Sequence, residues 1–316
     1  MNAMVEMSDG DFIKAFISSI GVDKSANTVN SYESDIKLLH KFCVKIKKRL
    51  IQLNEVDIGE YFAQYYITDT LGFVKIAEAT SIRRKISCFR SFFEFLTSQC
   101  VIAQNPIIEV EVPKKSQHLP FYLTPQEVED LFAYTNSQNT KEGMRNNAIF
   151  RILYSSGLRI SECISLKLSD ILDVDGKIRK KVIVNGKGNK ERMVFFDKDT
   201  QIALEKYLKI REKYLKNPKN LFVFCSTAKT GHISRESAFV NLRTVASMAN
   251  LSERLSPHKL RHSFATHLYQ NGIDLRLLQT LLGHSDISTT EIYTHIKADD
   301  IKSIVEKFHP LFVGRK

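Results

Sequence analysis

The sequence predicts a mainly α-helical protein of two domains, with a small antiparallel β-sheet in the second. Three observations carry that prediction. The chain has 316 residues, about twice a typical domain of ~150, so each half is long enough to bury its own core. Its composition, 43% hydrophobic and 26% charged with 13 Gly and 7 Pro, describes an ordered chain rich in helix formers. Apolar residues recur at helical spacing through most of its length, and the clearest exception is a pair of β-prone runs joined by a glycine-containing basic turn.

Phe12, Phe16 and Ile20 mark a first helix, and Val29, Tyr32, Ile36, Leu39, Phe42 and Ile46 form the stripe of a second. Val56, Tyr61, Phe62 and Tyr65 suggest a third. A fourth carries Ile82, Ile86, Phe89, Phe93 and Leu96, with Arg83, Arg84, Lys85 and Arg90 on its other faces. Four amphipathic helices with short connections predict a bundle. From Val112 to Leu123 the chain reads VPKKSQHLPFYL, where two prolines bracket a basic stretch without period. A linker is expected at 114–123, dividing a domain at 1–113 from one at 124–316.

The second domain opens with Thr124-Pro125-Gln126-Glu127, a capping box with proline at the first helical position, followed by Val128 and Leu131. Lys180–Val184 and Arg192–Phe196 are the two β-prone runs, and the turn from Asn185 to Lys190 gives a hairpin with a basic tip. Helical pattern returns from Ile202 to Leu215, a short strand is expected at Leu221–Phe224, and helices follow from Ser234 onward, with Gly272 and Gly283 where C-caps belong.

Lys and Arg number 46 against 35 Asp and Glu, a net charge of +11 that favours a polyanionic partner, nucleic acid before a membrane surface. No apolar run approaches the roughly 18 to 20 residues of a spanning helix. The start, MNAMVEMSDGDFIK, is too acidic for a secretory signal, so a cytoplasmic location is expected without membrane insertion. The five cysteines are scattered and never in C-x-x-C spacing, which argues against a disulfide framework or a zinc site.

Three motifs in the second domain are hard to explain as packing. Arg159 follows a helix-breaking Gly157 in SSGLRISE; taken alone, an arginine at a helix start is usually a solvated charge. In SPHKLRH, Ser256 caps a helix with Pro257 at its first position, which sets His258 and Arg261 three apart on one face. His284, in LGHS, stands nine positions before Tyr293 in TTEIYTH; a lone tyrosine is most often an amphipathic core-edge residue. His258 and His262 also share the i, i+4 spacing of a zinc-binding H-E-x-x-H, but Lys259 replaces the glutamate and Arg261 lies between them. Cations there repel a metal ion and attract phosphate.

Taken in order, these residues resemble the tyrosine recombinase (phage integrase) family: Arg159 in GLRISE, Lys187 in GKGNKER, His258 and Arg261 in HKLRH, His284 in LLGHSDISTT, and Tyr293 in IYTH. The resemblance extends to the first domain, where SANTVNSYESDIKLL is similar to the family's SAM-like core-binding domain. All six catalytic positions hold the expected residue types. The resemblance implies a site-specific recombinase that cuts and rejoins DNA through a 3′-phosphotyrosyl intermediate and a Holliday junction. It implies no cofactor and no metal. The two-domain layout is most like the Xer recombinases, which act in chromosome dimer resolution, in chromosome partition at cell division.

The roles that follow suit the chemistry. Two arginines, Arg159 and Arg261, suit the non-bridging oxygens of a phosphate as charge develops on them. A phenol is a poor nucleophile at neutral pH unless a base takes its proton; His258 is the expected base, with His284 hydrogen-bonding the phosphate. The leaving 5′ oxygen needs a general acid opposite the tyrosine, and Lys187 on the hairpin tip fits, with Lys190 as rival. Arg83, Arg84, Lys85, Lys114 and Lys115 are expected to grip the DNA backbone, against the plain alternative of a solvated charge run. By resemblance Arg235 reaches a base edge in the major groove. The implied partners are a double-stranded recombination site, further copies or a paralogue in a synaptic tetramer, and a regulatory protein. The C-terminal segment with Ile304, Val305, Phe308, Leu311 and Phe312 either docks on a neighbouring subunit or folds back on its own domain. Rival readings are a mobile-element integrase of the same family (phage, integron or transposon), a type IB topoisomerase, and a non-catalytic DNA-binding protein.

Overall fold

The computed structural model describes residues 7–63, 66–68, 74–76, 79–107, 121–186, 191–215, 219–283 and 307–310. The chain divides into two compact units, Met1–Leu119 and Pro120–Lys316. It is mainly helical, with two small antiparallel two-stranded sheets among the described residues. No helix among these residues is long and apolar enough to cross a membrane.

The first unit contains α1 (Asp9–Ile20), α2 (Ala26–Lys45), α3 (Glu55–Ala63) and α4 (Ala79–Ser98). Ser8 caps α1 in a reciprocal box with Asp11, and the Ser25 hydroxyl accepts from the Thr28 amide to start α2. Phe12, Phe16, Ile36, Leu39, Ile58, Tyr61, Ile86, Phe89, Phe92 and Phe93 are buried together. Edge-on ring pairs knit this core, Phe16 with Phe92 at 5.3 Å and Tyr61 with Phe89 at 5.3 Å. Val56, expected on the apolar stripe of the third helix, is exposed, and Ile58 takes the buried position instead. A hairpin of β1 (Tyr66–Thr68) and β2 (Val74–Ile76) lies between α3 and α4, where the sequence predicts no strand. Three residues per strand are too few for alternation to show.

The second unit is built around α6 (Lys141–Ser156), buried at every residue from Asn146 to Ser156. It packs against α5 (Pro125–Ser137), α9 (Lys198–Arg211), α10 (Arg235–Met248) and α11 (Pro257–Gln270). Polar residues inside it are paired: Arg151 reaches Asp199 at 3.3 Å and lies over the Phe132 ring. The expected capping box forms at Thr124 and Glu127. Leu123, assigned to the linker by sequence, is buried, and its amide donates to the Ser263 hydroxyl at 2.8 Å. Short helices α7 (Ile160–Ile164) and α8 (Leu168–Ile171) precede the predicted hairpin, β3 (Lys181–Asn185) with β4 (Glu191–Phe195), in which Val184 pairs with Arg192.

Leu221–Phe224 is not a ladder strand. Phe222 makes a single bridge to Lys167, and Val223 and Phe224 form a turn. The Arg211 guanidinium takes the carbonyls of Asn220 and Phe222, at 2.6 and 2.7 Å, so a side chain supplies donors that a neighbouring strand would offer. Helix α12 (Leu275–Leu282) ends at Gly283, whose φ of 66° is the left-handed cap expected there. Phe308 packs against the core of its own unit, and His309 is buried with its Nε2 3.2 Å from the Tyr154 carbonyl. The described part of the C-terminal segment therefore lies on its own unit.

Candidate active site

Gly157 organises the site. It ends α6 with φ 60°, and a Cβ built there would stand 2.5 Å from the Phe264 ring on α11. Only glycine combines that backbone with so close an approach. The chain can therefore turn at once into α7, with Arg159 as its N-cap in extended conformation. The Arg159 amide donates to Glu162 Oε2 at 2.8 Å, closing the first turn.

Arg261, one face along α11 from Ser256 and Pro257, points back at this junction. Its Nη1 donates to the Gly157 carbonyl at 2.5 Å and its Nη2 to the Leu282 carbonyl at 2.6 Å. Both acceptors lie at helix C-termini, where the peptide dipoles favour a cation. Burial, with the nearby charges of Arg159 and Arg192, lowers the Arg261 pKa to about 10, so the group stays charged at neutral pH.

Glu162 is the anionic centre of the cluster. Its Oε1 accepts from Arg159 Nη1 at 2.9 Å, and Arg192 of β4 bonds both oxygens, Nη1 at 3.0 Å and Nη2 at 2.6 Å. Arg261 Nη1 stands 4.0 Å from Oε2. Burial works to raise the carboxyl pKa, but the Arg192 and Arg159 bonds outweigh it and hold Glu162 below the ordinary glutamate value. Arg159 also reaches toward the Gly283 carbonyl at 3.4 Å, and Gly283 itself lies over Arg192, where an added Cβ would be 3.1 Å from Cδ. Ends of α6, α7, α11 and α12 and one strand of the hairpin thus meet around three guanidiniums and one carboxylate.

His258 sits in the first turn of α11, on the same face as Arg261. Although the residue is exposed, partial loss of surrounding water and then the charges of Arg261, Lys259 and Arg159 push its pKa below the ordinary histidine value. The shift favours the neutral imidazole, which has a nitrogen able to take a proton.

Of the residues singled out by sequence, Arg159, His258 and Arg261 come together. Lys187, Lys190, His284, Tyr293, Lys114 and Lys115 lie outside the described residues. Both strands that flank Lys187 are placed, as is Gly283, one residue before His284. Arg235 is exposed at the first position of α10. Arg83 is exposed on α4. Arg84 is partly engaged, with Nη2 2.9 Å from Asp35 Oδ1. Lys85 departs from expectation: it is 5% exposed and its ammonium sits 2.8 Å from the same Asp35 oxygen. A buried, paired lysine serves the first unit's interior and does not face a phosphate.

Glu162 and Arg192 were not among the predicted site residues. The signal for Glu162 is its place three residues after Arg159, the spacing of an N-terminal capping pair. Arg192 sits in RMVFF, where the pattern marks a strand and carries no sign of a partner 30 residues away.

Residues 122–299 match the Phage integrase family, and residues 13–100 match the Phage integrase N-terminal SAM-like domain. The tyrosine recombinase XerD of Rickettsia conorii is 38% identical over 309 residues, covering 95% of this chain and 98% of that protein. XerD of Listeria monocytogenes serotype 4b is 37% identical over 317 residues, covering 98% and 99%. XerC of Oceanobacillus iheyensis is 34% identical over 311 residues, covering 96% and 98%. Among solved structures, the fold is similar to XerH site-specific recombinase bound to palindromic difH substrate in a post-cleavage complex, with TM-score 0.65, 24% identity and coverage of 94% and 83%. It is likewise similar to the Tn1549 transposon integrase in complex with transposon right end DNA, with TM-score 0.65, 19% identity and coverage of 95% and 99%. The chain belongs to the phage integrase family of tyrosine recombinases.

Proposed function

We propose that this chain is a site-specific recombinase of the Xer type. It binds a double-stranded recombination site as a synaptic tetramer, alone or with a paralogue, and exchanges strands through a Holliday junction to resolve chromosome dimers. The carrying observation is the gathering of Arg159, Arg261 and His258 at one junction of helix ends, from which the chain leads through Gly283 directly to His284. The full-length similarity to XerD and XerC proteins supports the same reading.

In this account the two arginines hold the non-bridging oxygens of the scissile phosphate and strengthen as charge builds on them. His258 takes the Tyr293 proton as the phenol oxygen bonds to phosphorus. The phosphorus to 5′-oxygen bond breaks, and Lys187 delivers a proton to that oxygen. His284 hydrogen-bonds the phosphate. The phosphotyrosyl ester retains the energy of the diester, so a 5′-hydroxyl from a partner strand reverses the step without ATP.

Tyr293→Phe is expected to bind its DNA site and to form no covalent complex on a nicked suicide substrate. A denaturation-resistant adduct in that variant rules out this nucleophile. Lys187→Ala is expected to cleave slowly and to be restored by a 5′-phosphorothiolate, a leaving group that needs no proton. Restoration in Lys190→Ala alone moves the acid to Lys190.

A further inference from the structure

Arg192 has no place in the reaction as drawn, yet it makes the most complete contact in the cluster. Its side chain is 8% exposed, and both terminal nitrogens bond the Glu162 carboxylate. Arg159, whose side chain is 34% exposed, keeps a single side-chain bond to that carboxylate. Arg261 stands at 4.0 Å, its two terminal nitrogens directed at backbone carbonyls.

One carboxylate among three guanidiniums offers one fork. A carboxylate and an arginine pair best face to face, through two parallel bonds. Arg192 occupies that arrangement from the strand side, so Glu162 meets the Arg159 guanidinium through one oxygen only and leaves most of that guanidinium's donors free of the carboxylate. Were the fork free, the same buried anion would engage Arg159 or Arg261 in full. A phosphate would then have to displace a carboxylate in order to bind.

We propose that Arg192 is a positioning residue, which holds Glu162 so that its charge steadies Arg159 without neutralising it against the phosphate. The inference rests on the reading that Arg159 binds the scissile phosphate. Arg192 touches no reacting atom; it acts through Glu162. Gly283, packed on the Arg192 side chain, leaves the room for it to lie there.

The test uses the full chain in single-turnover formation of the covalent adduct, on a nicked duplex carrying the genomic sequence to which the wild-type protein becomes attached. Arg192→Gln is expected to form adduct about 100-fold more slowly, the scale of a misplaced catalytic group, while its affinity for the intact duplex changes only a few-fold. Arg192→Lys, which keeps a cation but loses the fork, should fall between the two. The decisive variant is Glu162→Gln combined with Arg192→Gln. With the competing carboxylate gone, it is expected to cleave faster than Arg192→Gln alone, although a purely structural role predicts that losing both partners is at least as harmful.

A double variant no faster than the single one overturns the proposal, as does a wild-type rate in Arg192→Gln. Restoration of Arg192→Gln by a 5′-phosphorothiolate also overturns it, since the residue would then serve the hairpin lysine. If Arg192→Gln does not fold, Arg192→Lys is compared with Arg192→Lys combined with Glu162→Gln, and a combined variant no faster than Arg192→Lys overturns the proposal. Failure of the underlying reading looks different: the wild type would give no adduct, or Tyr293→Phe would still give one.

Discussion

The chemistry proposed for this chain begins with a neutral imidazole beside two guanidiniums. Partial burial and the charges of Arg261, Lys259 and Arg159 disfavour the protonated form of His258. A lowered pKa means that the neutral base survives to more acidic pH than a free histidine would allow. The acid limb of adduct formation should therefore fall below the ordinary value of about 6.5, and it should disappear in His258→Gln, at a much reduced rate. Rates for the wild type and variant measured between pH 5 and 8, roughly the range in which histidine titrates, check this; an acid limb above the ordinary value would contradict it. The placement of His258 and Arg261 on one face was legible because both lie in the first two turns of a clearly capped helix. The Glu162 fork was not, because nothing local in RMVFF points back to α7. Lys85 was misread for a related reason: three consecutive cations point in different directions around a helix, and which one turns inward depends on Asp35, 50 residues earlier.

At the scale of elements, the site depends on how abruptly α6 stops. Gly157→Ala forces a side chain into a left-handed backbone, at about 1–2 kcal/mol, and drives its Cβ against Phe264. The expected result is a melting temperature of the second unit lower by roughly 4 to 8 °C for a loss of ~2 kcal/mol, with cleavage impaired more than DNA binding because the backbone carbonyl that Arg261 binds is displaced along with the strained turn. A variant that melts and cleaves like the wild type would show that α11 does not need this contact. Helix starts, the glycine stop and the hairpin were all readable, since caps, turns and period are local signals. The β1–β2 hairpin and the Leu221–Phe224 segment were not, the first because its strands are so short and the second because it turns at Val223–Phe224 and the Arg211 side chain, 11 residues before Phe222, takes part of its bonding.

For the molecule as a whole, a net charge of +11 supports backbone binding whose strength falls steeply with salt. Affinity for the site is expected to drop about 1,000-fold or more between ~50 and ~200 mM salt, and Arg83→Ala, which removes an exposed cation expected on the DNA backbone, to reduce the log–log slope by about 1. Lys85→Ala should leave the slope unchanged and instead weaken the first unit, leaving Arg84 as the remaining cation on Asp35. A smaller slope in Lys85→Ala, measured by salt titration of binding, would return that lysine to the DNA interface. The measurement that bears most directly on the whole account is mass spectrometry of the peptide that stays bound to DNA after denaturation and digestion. The account predicts a nucleotide joined through its 3′-phosphate to Tyr293; a 5′-phosphate linkage, or attachment to any other residue, would contradict it.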